Sequence, residues 1–330
     1  MNCIGHPFGI QDTILLDTFA GGERFAPALN QQPLNLNPSA PLIIGGLGGS
    51  GTRVVAKIFL EAGYFLGPDL NPQNDNLWFT VLFKNSAWLR ENAPRNESEI
   101  YLGLRVFTKA MLGLGPLTSS ELAYMLRVAR QPRIDSRQAG KIGRGASPVK
   151  YAYRMWRATK RPSPTGYRGW GWKEPNSHIY LSNLYEHFPA AKYIHVVRHG
   201  LDLAFSKNQQ QLYNWSFLYG LQPPESQAQE ATASLKFWVR ANERALDLGK
   251  KAGPERFSTV NFDRLCQSPA SEIKTMLDFA GLRVSPDEFE NLCQLPQPQE
   301  SLGRYLTHDI RVFDPADVEA VRRFGFDVKL

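Results

Sequence analysis

Cysteine is scarce in this chain: Cys3, Cys266 and Cys293 are the only three in 330 residues, an odd number at unrelated spacings. That argues against a disulfide framework and against a cysteine-held metal cluster, and it suits a reducing compartment. The six histidines are few and dispersed, and no metal site is expected. No stretch approaches the roughly 18 to 20 unbroken apolar residues of a membrane helix, so no membrane span is expected. The opening segment MNCIGHPFGIQDTILLDTFAGG has no basic start followed by an apolar run. It does not read as a secretory signal, and a cytoplasmic location is the expectation. Internal repeats and low-complexity tracts are also missing.

What is present suits a folded α/β protein. A hydrophobic fraction of 42% and 12% aromatics argue against disorder, and the length allows one large domain or two smaller ones. The net charge of +7 is unevenly spread. Residues 127–168 hold twelve Lys or Arg and one acid, Asp135, leaving 26 basic against 30 acidic residues elsewhere. A local positive field attracts anionic ligands without naming one.

Residues 1–40 show no clear periodicity and read as an N-terminal arm, with a single domain expected from 41 to 330. PLIIGG (41–46) is a short apolar run ending in glycine, the pattern of a buried strand reaching its turn. In the following GSGTRVVAKIFLEAG, Val54, Val55, Ile58, Phe59 and Ala62 recur at helical spacing, with Gly63 as the stop. Residues 76–131 look mainly helical, and a helical, basic insertion is expected over about 95–168. KYIHVV (192–197) and RFSTVNF (256–262) are two more strand candidates, and residues 225–251 form a long helical pattern. Strands alternating with helices predict a three-layer α/β/α fold with a mostly parallel central sheet.

The stretch G-G-L-G-G-S-G-T-R (45–53) joins the first strand to the first helix. Glycines let successive N–H groups converge on an anion, and the helix adds its positive end. Four readings compete: an ordinary tight turn, a dinucleotide fingerprint, an ATP or GTP P-loop, and a third kind of phosphate loop. Gly46, Gly48 and Gly51 fit G-x-G-x-x-G, with Asp69 near where a ribose-binding acid would fall, which would suit an NAD(P)-dependent oxidoreductase. The P-loop needs Lys before Ser/Thr, and Thr52 and Arg53 stand there instead.

A second anion site separates these readings. K-Y-I-H-V-V-R-H-G-L-D-L-A-F-S (192–206) is a strand ending in Arg198, with Ser206 eight residues later, expected on the following helix. A fixed guanidinium forks onto a phosphate while a hydroxyl adds one donor. With S-G-T (50–52) after an apolar strand, this order resembles the sulfotransferase family, in its tyrosylprotein-type and bacterial branch. W-K-E-P (172–175), the late strand F-S-T-V-N-F-D-R-L-C-Q-S-P (257–269) and S-L-G-R-Y (301–305) are similar to further elements of that family.

The resemblance implies a P-loop-nucleotide-hydrolase-like fold, and sulfonate transfer from 3′-phosphoadenosine 5′-phosphosulfate (PAPS) without a metal. It implies that Gly48, Gly49, Ser50, Gly51, Thr52 and Arg53 hold the 5′-phosphosulfate. Arg198, Ser206 and Arg304 would take the 3′-phosphate. Most members carry Lys or Arg just before S-G-T, and this chain has Gly49. Lys173 is the expected catalytic cation, with Arg53 the other one available. Asp69 is the expected base and Asp75 its fallback. His178 and His199 suit a base by chemistry but match no base position. Loss of catalysis at Gly49 would leave a nucleotide-binding protein. The acceptor is expected to be a small molecule, glycan or peptide, and an anionic one if the basic segment forms a lid or groove. Nucleic acid is not expected, since no binding module is recognisable.

Overall fold

The computed structural model describes residues 36–92, 97–130 and 148–329. Most of the expected N-terminal arm and the centre of the basic segment, 131–147, therefore lie outside the described residues. The described residues fall in one compact unit.

Five parallel strands form the sheet, in the order β2-β3-β1-β4-β5. They are β1 (Leu42–Gly46), β2 (Tyr64–Phe65), β3 (Gly169–Lys173), β4 (Lys192–Val197) and β5 (Phe257–Asn261). β1 lies at the centre, with Ile44 beside Lys173 of β3 and Gly46 beside Val196 of β4. Its apolar run serves two cores: Ile43 packs into one, Leu42 and Ile44 into the other. A strand buried on both faces needs such a continuous run.

Two strands went beyond the sequence reading. β2 is only two residues long, too short for any periodicity, and β3 is GWGWK. Glycine inside a strand pattern ordinarily weakens it, but here it permits close approach. A Cβ on Gly171 would stand 1.8 Å from the carbonyl oxygen of Leu42. Between the glycines, Trp170 and Trp172 are fully buried and stabilise the strand by packing.

Helix α1 (Thr52–Glu61) buries Val55, Ala56, Ile58 and Phe59 against the sheet. It ends where expected, with Gly63 left-handed at φ 89°. Helix α2 (Leu77–Phe83) starts at Asn76, whose side chain accepts from the amides of Trp78 and Phe79. Within residues 95–168 the described part includes the helices Glu97–Leu112, Ser119–Arg130 and Pro148–Ala158, packed on one another. The long pattern near 225–251 is the helix Glu230–Ala252.

Candidate active site

A cleft of about 540 Å³ opens at the carboxyl ends of β1, β3 and β4. Strand order explains its place. From β1 the chain goes to β2 and β3 on one side, and from β4 it goes to β5 on the other. The loops after β1 and β4 thus diverge, and the crevice between them is where open α/β sheets bind ligands.

The glycine loop forms one wall. Gly46, Gly49 and Gly51 have φ of 144°, 92° and 91°, which side-chain-bearing residues rarely adopt. Gly51 is also pinned by packing: a Cβ there would lie 2.0 Å from the Phe262 ring. The first amides of α1 have no helical acceptor and carry the positive end of the dipole. The Ser50 side chain is buried, and its Oγ has no partner. Thr52 is buried at the helix start, while Arg53 is exposed at the cleft.

Arg198 follows β4 directly and is 7% exposed. Its Nη1 donates to the carbonyl oxygen of Gly49 at 3.4 Å and its Nη2 to Ser301 Oγ at 2.8 Å, while Nε has no partner. No carboxylate forms an ion pair with it among the described residues, and burial pulls its pKa below the ordinary arginine value. A buried guanidinium with an idle N–H and only neutral acceptors has the chemistry to receive an anion.

The segment 301–305 is held over this arginine by Asp202. One carboxylate oxygen of Asp202 accepts from the Gly303 amide at 2.8 Å, the other from the Tyr305 amide at 3.0 Å. Arg304 itself donates to the carbonyls of Asp202 and Phe205, each at 3.4 Å, at the end of the short helix Gly200–Ala204. Ser206 is not on that helix, which stops two residues earlier. Gln209 Nε2 caps it through the carbonyls of Leu203 and Ala204, and the Ser206 hydroxyl accepts from the Asn208 amide at 3.2 Å. Neither Ser206 nor Arg304 lines the cleft as described.

The opposite wall centres on Lys173, at the end of β3 and 2% exposed. Its ammonium donates to the Gln73 carbonyl at 3.0 Å and to the Asp75 carboxylate. The loop holding these acceptors is shaped by Asn71, whose Oδ1 accepts from the amides of Gln73 and Asp75. Asp75 lines the cleft; Asp69 does not. Both Asp69 oxygens are taken, one by Arg154 Nη2 at 2.6 Å and one by Trp78 Nε1 at 2.6 Å.

Several cleft residues gave no usable signal in the sequence. Gln211 accepts from the Gly48 amide at 2.7 Å and donates to Asn176 Oδ1 at 2.7 Å, tying the glycine loop to the turn after β3. It sits in an undistinguished glutamine run. Glu174, in the W-K-E-P element, does not line the cleft; it is buried and accepts from the Asn176 amide and side chain, and burial raises its pKa.

His178 and His199 are buried. Burial holds His178 well below the ordinary histidine pKa, and the His199 ring meets the Asp327 carbonyl at 3.0 Å. His195 and His199 do stand four residues apart, a metal-type spacing that the sequence reading passed over. His195 is instead paired with Asn242 at 2.8 Å, and among the described residues no group of three or more His, Cys, Asp or Glu is placed to hold a metal ion.

Fold and cleft together define a parallel α/β protein whose cleft lies between a glycine loop and a buried arginine. The chain belongs to the sulfotransferase family, whose sequence profile matches residues 41–286. Among solved structures it is similar to the sulfotransferase domain of the Synechococcus PCC 7002 olefin synthase, at 19% identity and a TM-score of 0.39 over 91% of this chain and 99% of that one. It is also similar to sulfotransferase STF9 from Mycobacterium avium, at 14% identity and a TM-score of 0.43 over 88% and 77%. The sulfotransferase from Alicyclobacillus acidocaldarius aligns at 14% identity and a TM-score of 0.38 over 88% and 97%. No curated protein sequence gave a match.

Proposed function

We propose that the protein moves a sulfonate group from PAPS to a hydroxyl or amine acceptor and releases adenosine 3′,5′-diphosphate. One observation carries this: two buried, idle donors, Ser50 Oγ and Arg198 Nε, belong to segments that touch through the 3.4 Å contact between Arg198 and Gly49. A ligand with anionic groups at both ends satisfies both donors at once, and PAPS differs from ATP in carrying the second group on its 3′ carbon. The residues fit it. Gly49, Gly51, Thr52 and Arg53 offer amides to the phosphosulfate, with the Ser50 and Thr52 hydroxyls and the Arg53 charge; the Gly48 amide joins them if Gln211 releases it, while Arg198 receives the 3′-phosphate. Arg304 and Ser206 join it if segments 301–305 and 205–208 rearrange around the ligand.

When bound, the donor supplies an activated sulfonate. An acceptor oxygen forms a bond to sulfur as the bond from sulfur to the bridging phosphate oxygen breaks, and the electron pair leaves with adenosine 3′,5′-diphosphate. The acceptor proton passes to a base. Charge grows on the leaving oxygen, and a nearby cation stabilises it. Lys173 is the cation we assign, because Gly49 brings none and Lys173 lies in the cleft wall. Asp75, beside Lys173 and open to the cleft, is the better placed base; Asp69 serves only if Arg154 and Trp78 release it.

Thermal shift with adenosine 3′,5′-diphosphate, NADH and Mg-ATP tests the donor site. Stabilisation by adenosine 3′,5′-diphosphate alone is expected. Stabilisation by NADH instead would favour an oxidoreductase. Turnover of labelled PAPS on an acceptor panel then tells an enzyme from a binding protein.

A further inference from the structure

The cleft contains more positive charge than the donor and the catalytic pair use. Its charged lining residues are Arg53, Lys84, Lys173 and Arg198, against one acid, Asp75. Arg53 stands at the glycine loop, Arg198 is committed to Gly49 and Ser301, and Lys173 to Asp75 and Gln73. Lys84 is left over. It caps the end of α2 with its side chain about three-quarters buried, and among the described residues its one ionic neighbour is Glu174 at 3.8 Å, beyond hydrogen-bond reach. Glu174 already accepts from Asn176 through both oxygens.

Two further donors in the cleft wall are idle. Gln210 and Asn214 lie one turn apart on the helix Gln210–Trp215, and both line the cleft. Asn214 is 7% exposed, and neither its Nδ2 nor Gln210 Nε2 has a partner. A buried amide N–H without an acceptor is destabilising, so an arrangement of this kind is retained where a ligand supplies the acceptor. Neither group is bonded to the glycine loop or to Arg198, which separates them from the donor's contacts.

We propose that Lys84, Gln210 and Asn214 receive a carboxylate carried by the acceptor, so that the substrate class is hydroxylated carboxylic acids. One ammonium balances one negative charge, and the two neutral amides complete the hydrogen bonding of its oxygens. This rests on the sulfotransfer reading and goes beyond it by naming what the acceptor must carry.

The test begins with protein saturated with adenosine 3′,5′-diphosphate. Failure of that nucleotide to bind would sink the sulfotransfer reading itself, separately from the acceptor class. The complex is then titrated calorimetrically with 4-hydroxyphenylacetate, 3-hydroxybutyrate and glucuronate, each beside its methyl ester. At least one acid is expected to bind tenfold or more tightly than its ester. Lys84→Met should collapse that ratio to about one, and Gln210→Glu, a milder change, should reverse it. Lys160→Met, a charge removed from an exposed position outside the cleft, should keep it. Equal affinity of acids and esters in the native protein, or no binding of any acid, overturns the proposal. So does a ratio that survives in Lys84→Met. A rise in the PAPS Michaelis constant with the ratio intact would place Lys84 at the donor and also overturn it.

Discussion

Arg198 donates to the carbonyl oxygen of Gly49 across 3.4 Å, although 149 positions separate the two in sequence. The guanidinium is thereby parked on a neutral oxygen that a phosphate would outcompete. Arg198→Ala should therefore weaken adenosine 3′,5′-diphosphate binding by roughly ten- to a hundredfold, the equivalent of one charge-assisted hydrogen-bond set at about 1.5–3 kcal/mol. Calorimetry reads this directly, and unchanged affinity would remove Arg198 from the site.

Putting back the cation that most family members carry at position 49 should not help. A Cβ on Gly49 would stand 2.9 Å from Leu203 Cδ2, and the backbone there is left-handed at φ 92°. Holding a non-glycine residue in that region costs about 1–2 kcal/mol. Gly49→Arg is expected to lower both nucleotide-induced stabilisation and turnover. Adding Leu203→Ala should recover little, because the backbone strain persists. A gain in turnover in the single variant would show that the loop tolerates a side chain.

Lys173 and the two aspartates should separate by kinetics. Lys173→Met is expected to lower kcat by about a hundredfold or more while changing the donor Michaelis constant less, as loss of a transition-state contact does. Asp75→Asn should lower kcat by about a hundredfold or more, as loss of a general base does. Asp69→Asn should mainly lower the melting temperature, since it breaks the Arg154 and Trp78 contacts. A loss of kcat of that size in Asp69→Asn, with Asp75→Asn left active, would reverse the assignment.

Acid should destabilise the fold in a defined window. Burial lowers the His195 pKa from 6.5 to about 4, and pushes His178 in the same direction. The fold keeps these rings neutral, so the unfolded chain binds more protons as pH falls below about 6.5. Stability from this source is complete above that pH and declines toward pH 4. His195→Gln, which keeps a donor for Asn242, should flatten the fall in urea-melt midpoint between those limits. An identical slope in the variant would exclude His195 as a source.

The glycine loop and the Arg198 strand were legible because each is a short segment whose chemistry is local: glycines that allow positive φ, and a cation at the end of an apolar run. β3 was not, since its stability comes from Trp170 and Trp172 packing across the sheet while its glycines argue against a strand. Asp69 and Asp75 could not be separated by spacing. Their difference comes from Arg154, eighty-five positions away, reaching Asp69 and leaving Asp75 to Lys173. Gln211 and Lys84 were invisible because an amide or a lysine acquires a role only from what surrounds it. Ser206 was placed on a helix by continuity of pattern, and Gln209 ends that helix early.

The central position of β1 also bears on how the chain acquires its structure. Leu42 finds its partners at Gly171 and Lys192, so during synthesis the first strand stays unpaired until well over a hundred further residues have emerged. Parallel pairings of such long range form slowly and leave apolar edges open to other chains meanwhile. Yield on expression should accordingly respond more to temperature and chaperone supply than the finished fold's stability would suggest.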